Sequence, residues 1–366
     1  MSHRLNISAM LALSLSLSSG AVPAAERDAT EYSIDAFGTL GVVHSDYREA
    51  DFVTSSPLYG RGAGYSRSWR ADQDTRLGLQ LSADVGKLSA VVQGISRLRY
   101  DNSFSPELEW ANVSFAITPE LSVRAGRVVL PTFLSSDTEN IGYARPWVRT
   151  PGEIRVQLPM TSSDGVDVSY RLNVGQTSHR VQLLYGRNEE QLPLGQVFEN
   201  HHIRTVTDTI ERGHLTMHLG YQRMNYRISP SPSEYAFEAI DVGVAYDPGD
   251  WYVIAEQFNT RDQGLGNIRA SSLGGGYRIG SVAPYLIGSR IKQSSLGSLR
   301  LAPVFNQRTL AAGLRWDFAR NMDLKVQYET VRIGSVSTPA SFIDVQPGAR
   351  IGDDAQIFSA TLDFVW

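Results

Sequence analysis

The chain has 366 residues, a formal net charge of −4 and no cysteine, with 16 Tyr, 13 Phe and 6 Trp beside 32 Gly and 16 Pro. Without cysteine, disulfides, thiolate metal sites and cysteine nucleophiles are excluded, and the mildly acidic balance offers no concentrated basic face for nucleic acid. The aromatic- and glycine-rich mix favours strands and turns over helices.

Residues 1–24 read as a secretory signal peptide. Arg4 gives a positive start, an uncharged apolar segment follows, and Val22-Pro23-Ala24-Ala25 offers small residues for cleavage. The other reading, an uncleaved anchor, is opposed by a Ser-rich core that is weakly hydrophobic for a spanning helix. Removing residues 1–24 leaves 33 basic against 38 acidic residues, a net charge of −5. No later stretch reaches the ~20 apolar residues of a spanning helix. A β-barrel, with its weak alternating signal, would escape that test.

After the leader, one unit recurs. In residues 75–85, Leu77, Leu79, Leu81, Ala83 and Val85 alternate with Arg76, Gly78, Gln80, Ser82 and Asp84, then Gly86-Lys87 turns the chain into a second run. Segments of this kind fall near 32–44, 75–85, 88–100, 107–117, 121–129, 164–173, 177–186 and 202–211. The series continues near 214–225, 236–246, 251–261, 271–279, 282–292, 307–318, 322–331 and 356–366. Most match the ~9–11 residues that a tilted strand needs to cross a bilayer. Residues 202–210 alternate poorly, but without them the count becomes odd, which bacterial barrels of this type avoid.

The connections alternate in length. Short ones lie at Gly86-Lys87, 118–120, 174–176, Arg212-Gly213, 247–250, Gly280-Ser281 and Arg320-Asn321. Longer polar ones lie near 46–74, 101–106, 130–162, 187–201, 226–234, 262–270, 293–306 and 332–354. A soluble sandwich has no reason for this rhythm. A membrane barrel has one, with tight periplasmic turns and long extracellular loops. Aromatics near strand ends (Tyr100, Trp110, Tyr185, Tyr246, Trp251, Tyr252, Trp316, Trp366) fit interfacial girdles. In the closing run, Phe358, Leu362 and Phe364 share the lipid parity with Trp366 at the interface, while Ser359, Thr361 and Asp363 share the water parity.

On these features the chain from about residue 31 to 366 resembles the Gram-negative general porins. The resemblance rests on the leader, the sixteen-segment rhythm, the opening "IDAFGTLGVV" (34–43), "LSVRAGR" (121–127) before a long third loop, and the terminal "FSATLDFVW". It implies an all-β, 16-stranded antiparallel transmembrane β-barrel over residues 25–366, usually a homotrimer, in the outer membrane. It also implies that the barrel-assembly machinery reads the alternating last strand, where Trp366 replaces the usual Phe. By the same resemblance the third connection, 130–164, folds into the barrel and narrows the pore. Its Asp137, Glu139 and Glu153 become candidate acidic lining groups, and Arg145, Arg149 and Arg155 basic ones. Arg76, Arg97, Arg99 and Arg124 would face them from the wall, with Arg171 and Arg180 as further candidates. Such opposed charges would set up a transverse field across the constriction. Three acids against three arginines in the loop leave ion selectivity undecided by composition, and the four wall arginines tilt it towards anions.

Catalytic readings find little support. His214 and His218 lie four apart on a strand, too distant along one face to share an ion, and they and His201-His202 read as isolated lumen or loop residues. The Gly-rich stretches 60–65 and 273–280 precede no helix that could hold a phosphate. The first reads as a flexible loop, the second as a strand with close packing. No hydrolase or metalloprotease motif is present. The expectation is a non-enzymatic channel for small hydrophilic solutes and ions, without metal or cofactor. Two alternatives stay open: a solute-selective channel using Phe133, Tyr143 and Trp147 as an aromatic track, and a non-transporting barrel acting as adhesin, receptor or anchor.

Overall fold

The computed structural model describes residues 30–54, 60–299, 304–334 and 340–366, so the expected leader lies outside the described residues. Sixteen long strands, each antiparallel to its neighbours, follow one another around a closed sheet. On one side stand β1 (Glu31–Ser45), β2 (Arg76–Val85), β3 (Leu88–Arg97), β4 (Glu107–Ala116) and β5 (Leu121–Val129). Next come β6 (Ser162–Val174), β7 (Thr177–Gln191), β8 (Val197–Arg212), β9 (Leu215–Ser229), β10 (Glu234–Tyr246) and β11 (Trp251–Asp262). The circuit ends with β12 (Gly266–Tyr277), β13 (Val282–Gln293), β14 (Asn306–Ala319), β15 (Met322–Ile333) and β16 (Asp354–Val365).

Closure is made by β1, which pairs with β16 from Phe37↔Val365 to Ser45↔Ile357 and with β2 from Thr39↔Arg76 to Glu31↔Asp84. The ladder reaches the last residue: the Trp366 N–H donates to the Ala36 carbonyl at 2.8 Å, and the Ala36 N–H to the Trp366 carbonyl at 3.0 Å. A sheet closed in this way leaves no edge and satisfies its backbone groups internally, as a hydrocarbon surrounding demands. Glycines permit the closure locally. A Cβ on Gly78 would lie 2.1 Å from the Phe37 ring, and one on Gly38 2.5 Å from the Phe364 ring, so each aromatic lies over a bare cross-strand partner.

The alternation sorts the faces as expected. Leu77, Leu79, Leu81, Phe358 and many other large apolar side chains point outward and are exposed, while Gln80, Gln93 and Asp363 are buried inside. Trp251 is exposed and Tyr246 packs on it at 5.4 Å, forming part of an outer aromatic band. Tyr252 does not belong to that band. Adjacent to outward Trp251, it must point inward by the period of two, and it is buried.

Two expectations about connections change. The seven short turns are present, but β7 to β12 run further towards the other end than a bilayer-limited reading allows. They leave only 192–196, 230–233 and 263–265 as loops there. Strands that rise past the membrane continue to pair, so membrane thickness does not fix their ends. The poorly alternating 202–211 segment lies within β8, whose ladder slips between His201 and Arg204 with His202 in the left-handed region, at φ 53°. The 60–65 stretch is ordered: Ala63–Gly64 pairs with Asp51–Phe52, and Phe342–Ile343 adds a third short strand over the long-loop end. The 273–280 stretch packs closely, Trp147 lying over Gly274 and Tyr252 over Gly276.

The connection after β5, residues 130–161, turns into the barrel and carries a single-turn helix, Gly152–Arg155. Its Leu130, Phe133, Ile154, Leu158 and Met160 form one core with Met224, Phe237, Phe258, Ile268 and Ile291 from β9 to β13. Phe133 meets Phe258 at a ring separation of 4.8 Å. The lumen is therefore filled on the β9–β13 side.

Candidate site: the charged cavity beside the inward loop

The inward loop is held by polar contacts at both ends. At its start, the Thr132 hydroxyl donates to Gln222 at 2.8 Å and the Leu134 N–H donates to Glu256 at 2.9 Å. Past the tip, Glu153 is buried and accepts from Ser289 at 2.8 Å, from Gln307 at 2.7 Å and from Thr309. At the tip itself lies an ionic cluster. Lys325, 0% exposed, donates to the Gly142 carbonyl at 3.0 Å and pairs with Asp363 at 2.7 Å and Asp323 at 2.9 Å. Arg315 donates to the carbonyls of Tyr143 at 3.0 Å and Arg145 at 2.9 Å, and pairs with Asp323 at 3.0 Å. Gly142 is required there, because a Cβ would fall 1.9 Å from the Asp363 carboxylate. Ser359, Thr361 and Asp363 have the inward parity expected of them, but the loop covers them and they do not face open water.

Opposite the filled side, a cavity of about 410 Å³ separates the loop from the wall of β2 and β3 and from the rim of β7. Arg76, Arg97 and Arg99 line it from the wall, and Arg145, Arg149 and Arg155 from the loop, with Arg127 at the rim. Asp74, Glu107, Glu139, Glu189 and Glu190 are the lining carboxylates. Leaving aside the further candidates Arg171 and Arg180, which do not line it, seven of the ten residues named from sequence thus meet at one cavity. The other three do not. Asp137 pairs with Arg180 at 3.3 Å, Arg124 with Asp167 at 2.7 Å, and Glu153 anchors the loop on the far wall. Arg127, not singled out from sequence, pairs with Asp164 at 2.8 Å beside Gly126, whose φ of 122° suits only a glycine.

The charges expected to oppose one another across the constriction are mostly joined in pairs. Arg149 takes Asp74 at 2.7 Å and Glu329, Arg155 takes Glu139, Arg97 takes Glu109 at 3.2 Å, and Arg99 takes Glu107 at 2.7 Å. Burial weakens the Arg149 guanidinium, but its two carboxylates outweigh that and hold its pKa above the ordinary value. Arg145 is the opposite case. It is 5% exposed and has no carboxylate partner, and burial together with the charge of Arg76 pushes it down to about 10. It stays protonated at neutral pH. The aromatics of the loop give no track: Phe133, Tyr143 and Trp147 are buried, and none lines the cavity. Trp147 packs instead on Tyr252 at 6.4 Å and Tyr285 at 6.5 Å. His218 is likewise structural, its Nε2 lying 3.2 Å from the Thr132 carbonyl.

No protein-family model and no curated protein matches the chain. Solved structures do match in fold. Salmonella typhi OmpF in complex with daunomycin aligns at 14% identity, TM-score 0.62, over 93% of this chain and 99% of that one. The anion-selective porin of Comamonas acidovorans aligns at 13% identity, TM-score 0.60, over 92% and 100%. The trimer form of OmpT, an outer membrane protein of Vibrio cholerae, aligns at 14% identity, TM-score 0.56, over 92% and 99%. The fold is thus the closed sixteen-stranded barrel of outer-membrane porins.

Proposed function

We propose that the chain forms an outer-membrane channel for passive diffusion of small hydrophilic solutes and ions, exported by its leader and assembled as a homotrimer. The observation that carries this reading is the charged cavity between the inward loop and the β2–β3 wall, inside a barrel whose outer face is apolar. Sixteen strands enclose more space than side chains alone fill, and here the loop takes up only one side. The fold shared with porins supports the membrane setting, and the trimer form of the Vibrio cholerae protein supports the assembly. Swelling of liposomes containing the purified protein tests the reading, with entry of uncharged sugars that slows as the sugar grows.

The terminus serves assembly in this account. The Trp366 side chain is 78% exposed while its backbone completes the closing ladder. Deletion of Trp366 is expected to cut the yield of folded, heat-modifiable barrel at least severalfold, and to leave the conductance of the molecules that do insert unchanged. An unaltered yield would remove the assembly role.

A further inference from the structure

We propose that Asp241, Glu256, Thr207 and the Thr132 carbonyl form a binding site for a hard divalent cation, calcium, which ties the start of the inward loop to the barrel wall. The site lies on the filled side, apart from the charged cavity, and stands whether or not the cavity conducts.

Three neighbouring strands present the site. Thr207 of β8 stands opposite Gly220 of β9, and Gly220 stands opposite Asp241 of β10, all at inward parity. The middle position is bare. A Cβ on Gly220 would lie 3.3 Å from His218 Nε2, 3.4 Å from the Thr132 carbonyl oxygen and 3.5 Å from the Asp241 Cβ, so loop and wall close round a space that one small group fills. Glu256 of β11 is opposite Gly243, two positions along from Asp241, and accepts from the Leu134 N–H at 2.9 Å. Asp241 is 2% exposed, and neither of its carboxylate oxygens has a hydrogen-bond partner. Thr207 is buried as deeply, and its hydroxyl is also unpartnered.

No cation of the chain neutralises this pair of acids. Among the described residues neither Asp241 nor Glu256 has an ion-pair partner, and the charge that reaches Asp241 is that of Glu256. The guanidinium whose charge reaches Glu256, Arg155, is taken by Glu139, and the one whose charge reaches His218, Arg180, by Asp137. Buried carboxylates left in this way are costly, and an incoming cation relieves the cost. The donors are all oxygens, the ligand set of a hard cation, and two carboxylates match a charge of two. Calcium takes about six to eight oxygens in flexible geometry, mixing carboxylate, carbonyl and water, whereas magnesium demands a near-ideal octahedron. The Thr132 carbonyl has two lone pairs, one for His218 and one for the ion. Among the described residues no three His, Asp or Glu side chains gather as a transition metal would require.

The test uses the folded full-length barrel in detergent, stripped with EDTA and then given calcium chloride, or sodium chloride at equal ionic strength. Equilibrium dialysis counts the calcium bound, and heat-modifiable mobility against temperature gives the thermal midpoint. Wild type is expected to bind one calcium per chain more than Asp241→Asn, and calcium should raise its midpoint while sodium does not. In EDTA the order reverses: Asp241→Asn, relieved of a buried charge, should melt no lower than wild type. Thr207→Val, which keeps the shape and removes one ligand, should weaken calcium binding severalfold and serves if the Asp241 variant fails to fold. Equal calcium binding and equal shifts in wild type and both variants would place the ion elsewhere and overturn the site. A wild-type midpoint that ignores calcium and is matched by Asp241→Asn would mean a neutral carboxyl group, and would overturn it too. So would a shift produced equally by sodium.

Discussion

Lys325 shows what a single side chain can decide here. It has no exposure to solvent, and its ammonium bridges Asp323, Asp363 and the carbonyl of Gly142. Two of the three ammonium donors are hydrogen-bonded, to Gly142 and Asp363, and Asp323 is held as an ion pair. Replacing a buried ion-pair partner with an apolar residue leaves the opposite charges stranded, at a cost of about 3–5 kcal/mol. Lys325→Met is therefore expected to lower the thermal midpoint of the folded barrel clearly and to release the loop tip. Lys325→Arg, which keeps the charge, should lose less. Heat-modifiable mobility measured against temperature distinguishes them, and equal midpoints for wild type and Lys325→Met would deny the cluster its role. The sequence alone gives no sign of this cluster. Lys325 and Asp363 come together only through strand pairing, and the acceptor at Gly142 arrives from 183 positions away in sequence.

At the scale of elements, the strands were legible and the destination of the loop was not, for one physical reason. Strand alternation is a local property with period two, so β1, β5 and β14 could be placed almost to the residue. The face of the wall on which 130–161 docks depends on side chains far along the chain, out to Ile291. A signal for it did exist: Met224, Phe237, Phe258, Ile268 and Ile291 are apolar at inward parity, which a water-filled lumen would not favour, and they mark the docking face. The wall opposite keeps Arg76, Arg97 and Arg99 at inward parity and stays open. The loop's position predicts a cross-link. A Cβ built on Gly152 lies 3.7 Å from that of Ser341, within the ~3.5–4.5 Å span of disulfides. In this cysteine-free chain, Gly152→Cys with Ser341→Cys should form a disulfide on oxidation, seen as loss of both free thiols and a reducible change in gel mobility of the unfolded protein. Two thiols that stay free under oxidation would place the loop elsewhere.

For the whole molecule, one division of labour connects sequence to proposed function. The outward parity supplies an apolar surface, the ladder from β1 to β16 removes every edge, and the inward parity is divided between a wall that binds the loop and a wall that leaves space. In the proposed function this space is a passage. Liposome swelling with a graded series of uncharged sugars tests it most directly, because neutral solutes report open cross-section without the influence of the arginines. An open passage is expected to give rapid entry of a pentose, slower entry of a disaccharide and little entry of a tetrasaccharide. Liposomes that hold folded protein yet remain as tight to the pentose as protein-free ones would contradict it.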